Sequence, residues 1–153
     1  MGGLPDAPGI LTGLLLTPAL GVHLRGLADE LLVDDFAGAT ISRPQREMLA
    51  TAVSAANDCF YCMDSHGAFA GALLERHDAA EALPLIDQIK PGSSDQDVQL
   101  AVLIAAAFSM YNRIVEGFRA RTPPTAAVYR ERAEQIAEHG YSDGRVTSAP
   151  AGS

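Results

Sequence analysis

This chain of 153 residues has little that would let it bind a polyanion, and little that would let it enter a bilayer. Its 11 basic residues face 19 acidic ones, and Lys90 is the sole lysine, so there is no basic face for nucleic acid or anionic lipid. Its longest apolar run outside the N-terminal stretch, Leu100 to Phe108, is about half of what a membrane span requires. No Lys or Arg precedes Arg25, so the apolar stretch around Ile10 to Leu16 lacks the positive region of a secretory signal. Neither nucleic acid nor a membrane is therefore an expected partner, and a soluble protein of the cytoplasm is the expectation. Cysteine is scarcer still: the chain has 2, too few for a secreted disulfide framework. No segment alternates with period two and no repeat of fixed length recurs, which leaves an all-α fold.

At 48% hydrophobic content the chain can bury one core, and no break in composition suggests a second domain. The folded domain is expected over residues 10–142, with residues 1–9 and 143–153, rich in Gly, Pro and Ser, as tails. Pro18 opens a helix to about Val33 with Leu20, Leu24, Leu27 and Leu31 on one face. Ser42 caps a second, with Gln45 at the capping-box position, ending near Asn57. A third runs from Cys59 to about Glu75, and a short fourth starts at Asp78 and stops before Lys90-Pro91-Gly92. Asp95 starts the longest helix, apolar nearly all round from Val98 to Tyr111 and so covered by neighbours or by another subunit. After Pro123-Pro124 a last helix spans Ala126 to His139, closed by Gly140.

Both cysteines fall in Cys59-Phe60-Tyr61-Cys62, with His66 one turn further on. A thiol reacts as thiolate, and a helix N-terminus favours that anion. Cys59 and Cys62 face the same side of a helix, so one thiol can attack and the other can close a disulfide. His66 shares that face, where an imidazole can take or return a proton. Glu47 lies on the preceding helix, 12 residues before Cys59 and so roughly 18 Å from it along a straight axis. It reaches His66 only if the Cys59 helix folds back antiparallel. Ser54 and Asp58 continue the Glu47 stripe and are secondary candidates, as is Tyr61. Two thiols and one imidazole on a single helical face do not easily surround a tetrahedral ion, so no metal or other cofactor is expected.

Other conspicuous side chains read as structural. His23 sits on a leucine-rich face and is expected to be a partly buried core or interface residue; His77 and His139 suit helix ends. Phe108, Met110, Tyr111 and Phe118 read as packing, and Arg113 as an ion pair with Glu116 or Asp97.

The spacing Glu47-x11-Cys59-x2-Cys62-x3-His66, with the run Glu47-Met48-Leu49-Ala50-Thr51-Ala52-Val53-Ser54-Ala55-Ala56-Asn57-Asp58-Cys59 between, resembles the AhpD-like, or carboxymuconolactone decarboxylase, superfamily. The likeness is to its alkylhydroperoxidase-related branch. It extends more weakly from Leu14 to Tyr141. The resemblance implies an all-helical domain of about six helices, joined as a homo-oligomer, a trimer or hexamer, through a helical interface. It implies a hydroperoxide or other small oxidant as substrate, Cys62 as attacking thiolate, Cys59 as resolving thiol, a Glu47–His66 proton relay, and a dithiol protein or small dithiol as reductant. The best-characterised members of the family carry an additional histidine between the cysteines where this chain has Tyr61. A phenol with pKa of about 10 is a poor base at neutral pH, so the resemblance implies weaker peroxidase action or a different oxidant. Two other readings stay open: a lactone or decarboxylase-type reaction run by His66 and Glu47, and a redox-sensing oligomer without catalysis.

Overall fold

A computed structural model describes residues 9–76, 93–123 and 125–142. They form six helices: α1 (Ile10–Leu16), α2 (Pro18–Leu32), α3 (Arg43–Ala56), α4 (Phe60–Arg76), α5 (Asp95–Gly117) and α6 (Ala126–His139). No strand occurs among the described residues. The local signals explain most boundaries. Pro18 stands in the first turn of α2, and Ser42 with Gln45 closes a capping box on α3. The expected helix from Asp78 lies outside the described residues, as do the expected tails apart from Gly9.

The helix α1 is the element that periodicity does not announce. It is a single short segment with no side-chain cap, too brief to be stable by propensity alone. Packing against α2 and α5 holds it. Gly9, grouped with the N-terminal tail by composition, is instead buried, and its N–H donates to the Arg121 carbonyl at 3.1 Å. A Cβ at Gly9 would fall 1.9 Å from the Tyr61 ring, and φ there is +56°. Only glycine lets the chain cross that ring.

The main core joins Leu31 and Leu32 of α2, Ala50 of α3, and Leu100, Ile104, Ala107, Phe108 and Tyr111 of α5. Tyr111 also donates its hydroxyl to the Leu24 carbonyl at 2.7 Å, fixing α5 on α2. By length and composition α5 could cross a membrane. Here one stripe of it forms the core, while Val98, Val102, Leu103 and Met110 remain exposed on the other side. His23 is exposed on α2 and so takes no part in the core, the first of the two positions expected from its leucine-rich surroundings. The helix turns so that Leu31 and Leu32 point inward and leave Leu20, Val22 and Leu27 outward with it. Arg113 pairs with Glu116 at 2.6 Å on the exposed side of α5, whereas Asp97 is engaged elsewhere.

Asp97, buried at the first turn of α5, secures the loop that leads into α3. Its carboxylate accepts from Thr40 N (2.6 Å), Thr40 Oγ1 (3.0 Å), Ile41 N (3.2 Å) and Ser94 N (3.2 Å). Burial pushes its pKa up, but the Thr40 and Ser94 donors outweigh burial and hold it below the ordinary 3.8. A depressed native pKa stabilises the fold above the unfolded value, and that contribution is lost as pH falls through the native one. The stability difference between wild type and Asp97→Asn, measured by urea unfolding, should be constant from about pH 5 to 8 and shrink below about pH 4. A difference independent of pH down to 3 would contradict this role for the charge.

Candidate functional site: a buried carboxylate, an imidazole and two thiols

The chain reverses between α3 and α4 in three residues. Asn57 N bonds to the Val53 carbonyl, and Asp58 adopts φ +56°, a left-handed conformation that aspartate tolerates better than most residues. Cys59 N then returns to the Ser54 carbonyl at 2.9 Å, and the Cys59 carbonyl accepts from Met63 N at 2.9 Å. Cys59 is thus the cap of α4 and Cys62 lies in its first turn. Asp58, a secondary candidate in the sequence, is exposed and serves this turn instead.

The reversal lays α4 back along α3, and His66 Nδ1 meets Glu47 Oε2 at 2.7 Å. Glu47 is 0% exposed. An isolated buried carboxylate is expensive, so both oxygens need partners. The second oxygen, Oε1, accepts from Tyr141 OH at 2.7 Å, and the same hydroxyl lies 3.3 Å from His66 Nδ1. With Nδ1 committed to Glu47, Nε2 is the imidazole nitrogen left for a ligand. Phe108 and Phe69 pack edge-on to the ring at centroid distances of 4.5 and 5.1 Å and fix its plane.

Tyr141 carries no sequence signal of its own, because it follows the last helix. Its delivery depends on two clamps. Arg43, at the start of α3, donates to the Ala137 and Ile136 carbonyls at the end of α6, at 2.9 and 2.5 Å. Asp29 of α2 accepts from Tyr141 N (2.6 Å) and Ser142 N (2.7 Å). Gly140 makes the bend at φ +74°, and a Cβ there would stand 2.7 Å from Asp29 Oδ1. The C-cap glycine of the sequence therefore aims a phenol at Glu47.

Both cysteines are reduced and each is 3% exposed. They pack with Val115 of α5. Burial raises the pKa of Cys62, and the adjacent Cys59 thiol raises it further, against a hydrogen bond from Asn112 that lowers it. The expected lowering by the start of α4 is thus outweighed by burial and by the second thiol, and Cys62 is a protonated thiol at neutral pH. Asn112 is a second residue that sequence reasoning missed. Its Oδ1 accepts from Asn57 Nδ2 at 3.0 Å, which turns its Nδ2 toward Ser54 Oγ at 3.1 Å. Ser54 joins the site through that amide. An asparagine inside an apolar helix was the available signal.

Cys62, His66, Tyr61 and Tyr141 line one cavity of about 80 Å³. Cys59 lies behind Cys62, away from it. Burial raises the phenol of Tyr61 above its ordinary 10, so it offers a hydroxyl rather than a base at neutral pH. The sequence-predicted set is thereby divided: Glu47, His66 and Cys62 border one space, Cys59 and Ser54 support it from behind, and Asp58 stands outside.

Six helices with no strand among the described residues, a dithiol at the start of one helix and a buried carboxylate–imidazole pair at the cavity wall are consistent with an all-α domain of the AhpD-like kind. The carboxymuconolactone decarboxylase family model matches residues 25–89, a little under half of the chain. The matched segment holds Glu47, Ser54, Cys59, Cys62 and His66 and excludes Asn112 and Tyr141. No curated protein and no solved structure matches the chain significantly.

Two outcomes follow from the geometry. Tyr141→Phe removes a donor from a buried carboxylate and should cost about 1–3 kcal/mol of unfolding free energy; a loss under about 0.3 kcal/mol would mean that Glu47 does not depend on it. Alkylation of Cys62 by iodoacetamide in a Cys59→Ser variant should be slow at pH 7 and still rising above pH 10. A plateau at the pH of an ordinary thiol, about 8.5, would show that burial does not govern Cys62.

Proposed function

We propose that the protein is a thiol-dependent peroxidase or disulfide oxidoreductase. One observation carries the reading: the buried thiol of Cys62 and the imidazole of His66 border the same apolar cavity, and a fully buried carboxylate holds that imidazole from behind. A thiol that burial keeps protonated needs a base at hand when substrate arrives, and His66 backed by Glu47 is such a base.

In this reading His66 Nε2 takes the Cys62 proton as the sulfur attacks the terminal oxygen of a hydroperoxide. The O–O bond breaks, Cys62 becomes a sulfenic acid, and the imidazolium returns the proton to the departing alkoxide, which leaves as an alcohol. Cys59 then attacks the Cys62 sulfur, the S–O bond breaks, and water leaves with formation of the Cys59–Cys62 disulfide. A dithiol, protein or small molecule, supplies two electrons and two protons to restore both thiols. A reducing cytoplasm is the compartment in which both cysteines would rest as thiols. The exposed apolar side of α5, with Val102 61% exposed, supports assembly of several copies.

Stoichiometric cumene hydroperoxide should remove both titratable thiols together, and dithiothreitol should restore both. Cys62→Ser should abolish peroxide consumption, whereas Cys59→Ser should accumulate a sulfenic acid that dimedone captures. Two thiols that survive the peroxide would contradict the reading, and equal loss in both variants with no captured adduct would contradict the assignment of roles.

A further inference from the structure

The wall of the cavity facing Cys62 has an uneven composition. Ile10 and Leu14 of α1, Leu24 of α2, Phe108 of α5 and Ile136 of α6 make it apolar. Among them stand two arginines, Arg25 of α2 and Arg132 of α6, each half-buried. A chain with 11 basic and 19 acidic residues has thus spent two of its cations on one cavity.

Neither arginine is paired with a carboxylate among the described residues. The hydrogen bond that Arg132 makes is to the neutral amide of Gln135, at 3.3 Å. Other arginines of the chain are otherwise engaged: Arg43 caps α6, Arg46 binds the Asp34 and Ile41 carbonyls, and Arg113 pairs with Glu116. The charge of Arg132 also acts on the phenols of Tyr61 and Tyr141, opposing the burial that raises them, so it lies toward the reacting end of the cavity.

A cation at the edge of an apolar space selects an anion that brings an apolar body with it. The planar fork of arginine matches the two oxygens of a carboxylate. The cavity, at about 80 Å³, exceeds severalfold the roughly 10–15 Å³ that one water needs. It has room for a short alkyl segment and not only for solvent.

We infer that the cavity binds a carboxylate with an aliphatic chain, the carboxylate held by Arg25 and Arg132 and the chain by the apolar wall. The substrate class is then a carboxylate-bearing organic hydroperoxide. The anion site stands without the peroxidase reading; the hydroperoxide part of the inference rests on it.

Isothermal titration of the reduced protein with hexanoate and with 1-hexanol separates the two. Hexanoate should bind more tightly than 1-hexanol, and Arg25→Gln/Arg132→Gln should weaken hexanoate about tenfold or more while leaving 1-hexanol unchanged. Arg113→Gln, which alters an exposed ion pair on α5, should leave hexanoate binding as in wild type, and circular dichroism should show all variants folded. Inorganic phosphate, lacking an apolar body, should not displace hexanoate at equal concentration. Absence of hexanoate binding, equal affinity for acid and alcohol, insensitivity to the double substitution, or displacement by phosphate would overturn the inference. A separate arm compares 6-hydroperoxyhexanoate with hexyl hydroperoxide on wild type. Faster consumption of the acid supports the full substrate class, and equal rates overturn its carboxylate preference. If neither is consumed while hexanoate binds, the peroxidase reading falls and the carboxylate site stands.

Discussion

The structure depends on how the carboxylate of Glu47 is accommodated. A fully buried charge would cost several kcal/mol if left alone, and water does not reach it. Its two oxygens are met from two different parts of the chain, His66 of α4 and Tyr141 after α6. To bring them there, α4 must reverse on α3 through the left-handed Asp58, and the end of α6 must be held by Arg43 and Asp29. Satisfying one carboxylate thus fixes the positions of three helices. The same arrangement orients the imidazole that borders the cavity, so the requirement of the fold and that of the site coincide at one residue.

The thiols obey an opposing pair of effects. Being at the start of α4 favours an anion, and burial among Val115 and the neighbouring thiol disfavours it. Burial wins, which keeps Cys62 protonated and shielded at rest. In the proposed chemistry that makes the imidazole necessary rather than helpful, and it suits a site that should meet its substrate before it becomes nucleophilic. Tyr61, raised in pKa by burial, does not replace that base. It closes the cavity beneath Gly9 and contributes a hydroxyl.

Much of this was legible in the sequence, for reasons that can be named. Helix starts at Pro18, Ser42 and Asp95 and the stop at Gly140 are written by local chemistry, and the helices begin and end close to them. Glu47, Cys59, Cys62 and His66 fall on stripes of helical period, so the reversal between α3 and α4 was the one contact needed to unite the carboxylate with the imidazole. What was not legible is held by contacts distant in sequence. Helix α1 has no side-chain cap and exists through packing; Tyr141 reaches Glu47 through clamps that join residues 94 and 112 positions apart; Asn112 reads as a flaw in an apolar helix until Ser54 and Asn57 are seen beside it. The inward turn of α2 at Leu31 and Leu32, which leaves His23 in solvent, is likewise set by its neighbours.

The central claim is that Glu47 and His66 serve Cys62 as a proton carrier. Its most direct test is the rate at which Cys62 forms a sulfenic acid under cumene hydroperoxide, captured by dimedone, in Cys59→Ser and in Cys59→Ser/Glu47→Gln, with both variants shown to be folded. General acid–base catalysis predicts a fall of about 100-fold or more when the carboxylate is neutralised. Equal rates in the two variants would contradict the account, leaving Glu47 as a buried structural charge and Cys62 without its base.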